Sequence, residues 1–104
     1  MNDFGLRQSD IDILLNILRE YREVEEAVIF GSRAKGNHRN GSDLDIAVKG
    51  PDLNLEIVSA ISYMLNEETS LPYKFDILDY KSIHNPELTD HINRIGVLVF
   101  KRNE

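Results

Sequence analysis

The chain has 104 residues, no cysteine, and a formal net charge of −6 from 18 acidic and 12 basic residues. Disulfides and thiolate metal sites are therefore excluded, and the acidic balance argues against a broad footprint on nucleic acid, which needs a dense basic surface. No apolar run approaches the roughly 20 residues that cross a bilayer, and the opening MNDFGLRQSD lacks a signal peptide's basic start and apolar run. The expectation is one soluble, cytoplasmic domain over 1–104.

Taken in order, Ser9 is a good N-cap residue with Asp12 at the capping-box position, ahead of a helix expected over 10–22. Ile11, Leu14, Leu15 and Leu18 form its stripe, and Ile13 and Ile17 widen it. Residues 25–30 read as a buried strand ending at Gly31. Residues 43–49 alternate cleanly: Leu44, Ile46 and Val48 point one way, while Asp43, Asp45 and Ala47 point the other. Gly50-Pro51 ends that strand, and Asn54 can cap a helix over 55–68 with its stripe at Ile57, Val58, Ile61, Met64 and Leu65. A third strand is expected over 73–80. Asn85-Pro86 opens a helix faced by Leu88, Ile92 and Ile95, Gly96 stops it, and a last strand covers 97–100. This alternation predicts a small α/β or α+β fold, a mixed sheet of about four strands with helices packed on one face.

The stretch IFGSRAKGNHRNGSDLDIAV, residues 29–48, carries the chemistry. Glycine after a buried strand lets the backbone turn sharply and approach a ligand. Should Ser32 to Lys35 open a helical turn, its free N–H groups and the serine hydroxyl suit a phosphate. Taken alone, Gly31-Ser32 reads better as a plain tight turn. Arg33, Lys35, His38 and Arg39 follow with no acid among them, a cationic loop suited to a compact anion.

Asp43 and Asp45 share one face of their strand, where two ionised carboxylates repel each other unless a cation joins them. Oxygen-only ligands favour Mg²⁺ or Mn²⁺ over zinc. A lone D-x-D is also readable as a solvated strand face. A third acid tips the balance: parity puts Asp76 opposite Phe75 and Ile77, on the face of Asp43 and Asp45 if the strands share a sheet. Asp79 falls on the other side. Three such carboxylates can hold two Mg²⁺ ions for in-line nucleotidyl transfer, with Asp76 placed to help as base.

Gly31-Ser32, ten residues, then Asp43-Leu44-Asp45 is the G-S-x10-D-x-D signature of the polymerase-beta-like nucleotidyltransferase superfamily. GSRAKG, SDLDIAV and FDILD together resemble the minimal nucleotidyltransferases, the antitoxin halves of HEPN/MNT toxin–antitoxin pairs. The resemblance covers essentially the whole chain. It implies an enzyme that moves AMP from ATP onto an acceptor. Gly31 and Ser32 would hold the triphosphate, Arg33 would assist them, and Asp43, Asp45 and Asp76 would hold two Mg²⁺ ions. A chain of this size leaves no room for an acceptor-holding domain, so a protein acceptor is expected. The resemblance supplies its identity, a tyrosine of a HEPN-type ribonuclease toxin in a hetero-complex. Helices 10–22 and 86–95 are candidate docking surfaces. Two other readings are a non-catalytic nucleotide-binding module that occludes the toxin, and a small-molecule nucleotidyltransferase with a separate substrate-binding subunit. His84 and His91 read as surface or interface residues, and direct binding of nucleic acid or a membrane is not expected.

Overall fold

The protein is described by a computed structural model over residues 6–31 and 43–102. Ser32, Arg33, Lys35, His38 and Arg39 lie outside the described residues. In chain order the elements are helix α1 (Gln8–Glu20), strand β1 (Glu26–Phe30), strand β2 (Leu44–Lys49), helix α2 (Leu55–Glu67) and strand β3 (Phe75–Asp79). A single 3-10 turn (Tyr80–Ser82), helix α3 (Pro86–Ile95) and strand β4 (Val97–Lys101) follow.

The four strands form one mixed sheet in the order β3-β2-β1-β4. β1 runs antiparallel to both β2 and β4, and β2 runs parallel to β3 through the α2 crossover. The parallel pair needs such a crossover, because two strands pointing the same way cannot be joined by a hairpin.

Strand alternation separates two packing layers. Ala27, Ile29, Leu44, Ile46, Val48, Phe75 and Ile77 face α1 and α2, which contribute Leu14, Leu18, Val58, Ile61 and Leu65. At roughly 1.5–3 kcal/mol for each large apolar side chain removed from water, this layer supplies most of the driving force for folding. The opposite face carries a smaller cluster of Val28, Phe30, Ala47 and Ile92, with Leu78, Tyr80, Ile83 and Leu88 packed against it.

The expectation that the helices share one face thus holds for α1 and α2 but not for α3. The reason is the apolar patch on the second face. Val28, Phe30 and Ala47 would meet water there unless α3 laid its Leu88–Ile92 stripe across them. The apolar stripes of α1 and α3 both face the sheet, so neither is available as the docking surface expected from sequence. Of the apolar residues of α1 only Ile13 is substantially exposed, at 39%.

α1 begins two residues before the expected position, with Arg7 as N-cap and no side-chain cap. Asp10 stands in the first turn. Its buried carboxylate accepts a hydrogen bond from the Tyr73 hydroxyl at 2.7 Å and pairs with Arg7 Nε at 3.5 Å. An acid there also meets the positive end of the helix. At the other end Arg102 donates to the Arg19 and Tyr21 carbonyls, at 3.2 and 3.1 Å, filling acceptors that a helix C-terminus leaves open. The caps of the other helices match the sequence. Asn54 Oδ1 accepts from the Ile57 amide at 2.8 Å, and Asn85 Oδ1 accepts from Glu87 at 2.9 Å ahead of Pro86. Among the described residues, no helix is long and apolar enough to cross a membrane.

Candidate functional site

The end of β1 sets one wall of the site. Phe30 is the Cα partner of Asp45 across the antiparallel junction, and Gly31 follows with φ of +77°. That left-handed conformation is open to glycine and strained for other residues. A β-carbon at Gly31 would also collide with Asp45 Oδ2. The glycine therefore serves two purposes, turning the chain and leaving room for the carboxylate of the neighbouring strand.

β2 and β3 set the floor. Their parallel register pairs Leu44 with Phe75, Asp45 with Asp76, and Ile46 with Ile77. Leu44, Ile46, Phe75 and Ile77 all point into the main core. Asp45 and Asp76 consequently leave the opposite face side by side. Asp43 stands one residue before β2, exposed, and its charge is felt at Asp45. Asp79 is turned away to cap the 3-10 turn, accepting from the Lys81 amide at 3.2 Å and pairing with Lys81 Nζ at 2.8 Å.

The electrostatics follow from this crowding. Half-burial pushes the Asp45 carboxyl above its ordinary pKa, and the charges of Asp76 and then Asp43 push it further, while His91 pulls it back. Among the described residues, no cation pairs with Asp43, Asp45 or Asp76 at salt-bridge distance, and no group donates them a hydrogen bond. Oxygen-donor groups whose like charges act on one another suit a hard divalent cation such as Mg²⁺. Among the described residues, no three such side chains already stand close enough together to enclose a metal ion.

Two contributors were not singled out in the sequence. His91 reads there as a surface or interface residue, yet its ring meets Phe30 edge to face, with centroids 6.2 Å apart and planes at 78°. The signal was its place three residues after Leu88, inside the α3 stripe. Asn66 of α2 grips the first residue of β3 with both ends of its amide. Its Oδ1 accepts from the Phe75 amide at 2.8 Å and its Nδ2 donates to the Phe75 carbonyl at 3.0 Å. This pins the strand edge next to Asp76. No periodicity marks such a contact, since it depends on where α2 ends over the sheet.

A glycine turn against a carboxylate-bearing sheet face, in a mixed four-stranded sheet backed by two helices, defines a small nucleotidyltransferase-like protein. The family model described as Polymerase beta, Nucleotidyltransferase matches residues 13–104, and the chain belongs to that family. Two relatives come from Methanocaldococcus jannaschii. The protein named "Putative protein adenylyltransferase MJ1379" is 36% identical over 74 residues, covering 67% of this chain and 71% of the relative. "Putative protein adenylyltransferase MJ0435" is 37% identical over 93 residues, covering 88% of this chain and 91% of the relative. Among solved structures, a chain of the tri-AMPylated Shewanella oneidensis HEPN toxin in complex with MNT antitoxin superposes with a TM-score of 0.71. It shares 20% identity, with 93% of this chain and 74% of that chain covered, a likeness of fold.

Proposed function

We propose that residues 1–104 act as a single minimal nucleotidyltransferase domain that transfers AMP from ATP to a protein acceptor, a tyrosine of a HEPN-type ribonuclease toxin, and so serves as its cytoplasmic antitoxin. The observation that carries this reading is the pairing of Asp45 with Asp76 on one sheet face, with Asp43 near enough for its charge to act on Asp45 and Gly31 set against Asp45. Pure occlusion of a partner gives no reason to set like-charged carboxylates beside one another, where each raises the cost of ionising its neighbour. The names of the two archaeal relatives and of the toxin–antitoxin complex supply the acceptor class.

In this reading the acceptor hydroxyl oxygen bonds to the α-phosphorus of ATP as the bond from that phosphorus to the bridging oxygen breaks, and pyrophosphate leaves. Asp43, Asp45 and Asp76 would hold two Mg²⁺ ions, with Mn²⁺ an acceptable substitute. Bound there, the metal would supply charge neutralisation at the phosphates and acidify the attacking hydroxyl. An Asp76 carboxylate oxygen, on the exposed side of the sheet, accepts the hydroxyl proton. Gly31 lets the backbone approach the triphosphate, and Ser32 and Arg33, the next two residues in the sequence, are assigned to bind it.

Intact-mass analysis tests the proposal. The protein is mixed with the HEPN-type partner, ATP and Mg²⁺, with Asp43→Ala/Asp45→Ala as control. A gain of one or more AMP masses on the partner, absent in the control, is the expected result. A stable complex of the two proteins with no mass gain would replace this reading with occlusion.

A further inference from the structure

We infer that His91 is a positioning residue for the nucleotide site: its ring braces Phe30, and through Phe30 the Gly31 turn that stands against Asp45. This rests on the proposed nucleotide-binding role of that turn.

α3 is a firm mount. Ile92 is 2% exposed in the second-face cluster, Leu88 packs beside it, and Asn93 Oδ1 accepts from the Tyr80 hydroxyl at 2.8 Å. His91 sits between these anchors and meets Phe30 at 6.2 Å in an edge-to-face arrangement, inside the distance range of favourable ring pairs. Phe30 is the last residue of β1 and pairs with Asp45. Gly31 comes next, at φ of +77°, without a side chain to anchor it. Its place over Asp45 is therefore set by what holds Phe30. The imidazole is also near enough for its charge to act on Asp45. Bracing of this kind matters because a displacement of about 1 Å in a positioning element can lower a rate on the order of a hundredfold.

The test compares His91→Ala, which removes the ring, with His91→Phe, which keeps a ring and removes the nitrogens. Binding of ATP with Mg²⁺ is measured by calorimetry, and the Gly31 and Asp45 amide resonances are followed without ligand. The alanine variant is expected to bind on the order of ten- to a hundredfold more weakly, the range for supporting residues of a site. Its Gly31 amide should shift, and the phenylalanine variant should restore both readouts. Unchanged binding and an unmoved Gly31 amide in His91→Ala would overturn the inference. So would a phenylalanine variant as weak as alanine with Gly31 in place, since the nitrogens would then be what matters. Should the unsubstituted protein bind no ATP, the proposed function falls, and the Gly31 resonance still decides whether His91 braces the turn.

Discussion

Asp45 and Asp76 are Cα partners across the parallel junction of β2 and β3, so two like charges rise from neighbouring strands on the same face of the sheet. Burial and these neighbours raise the Asp45 pKa. The folded state thus holds the Asp45 proton more tightly than the unfolded chain does. Stability from this group is fully present below the unfolded value, about 3.9, and is lost as pH rises through the raised folded value.

Asp45→Asn should therefore stabilise the fold at neutral pH while removing transfer. Solvent screening at this half-exposed carboxylate keeps the gain small, a Tm rise of about 2–4 °C. AMP transfer should fall by on the order of 10²–10³-fold, the scale of losing one electrostatic stabiliser. The Tm difference from the unsubstituted protein should shrink as the solution is acidified and vanish near pH ~3.9. Thermal melts across pH check it; a difference that grows on acidification would contradict the assignment.

Addition of Mg²⁺ should raise Tm, because a cation that binds the folded carboxylates and not the unfolded chain stabilises by mass action. At a hundredfold excess over Kd the gain is about 2.7 kcal/mol. Asp43→Ala/Asp45→Ala should lose that response. Differential scanning fluorimetry with matched ionic strength separates binding from general salt screening.

Gly31→Ala should destabilise the protein by about 1–3 kcal/mol, through the left-handed backbone and the contact with Asp45 Oδ2. Removing that oxygen in Gly31→Ala/Asp45→Ala should recover part of the loss, leaving the backbone share. A double-mutant cycle by urea denaturation reads the coupling directly. Additive effects would show that the two residues do not compete for space.

Asn66→Ala should cost about 1–3 kcal/mol, because the Phe75 amide and carbonyl both lose their partner at the start of β3. Transfer should drop with it, since Asp76 is the next residue. Asn66→Asp, which keeps the acceptor for the Phe75 amide and loses the donor to its carbonyl, should fall between the two. Urea melts and initial rates on the same preparations provide the comparison.

Local pattern determined much of this protein. The period-two alternation of β2 places Asp45 opposite Leu44, Ile46 and Val48, because strand geometry admits no other arrangement once those apolar residues are buried. The same parity separates Asp76 from Asp79, and Asn54, Asn85 and Pro86 mark helix starts through chemistry confined to a few residues. Tertiary structure alone decided the rest. Only the parallel register sets Asp76 beside Asp45, and only the packed sheet brings Gly31 against the Asp45 carboxylate. Asp10 in the first turn of α1 meets the hydroxyl of Tyr73, which is 63 positions away along the chain. α3 crossed to the second face and carried His91 to Phe30 because an apolar patch there needed cover. These outcomes depend on contacts between residues far apart in the chain, whose energies no local window contains.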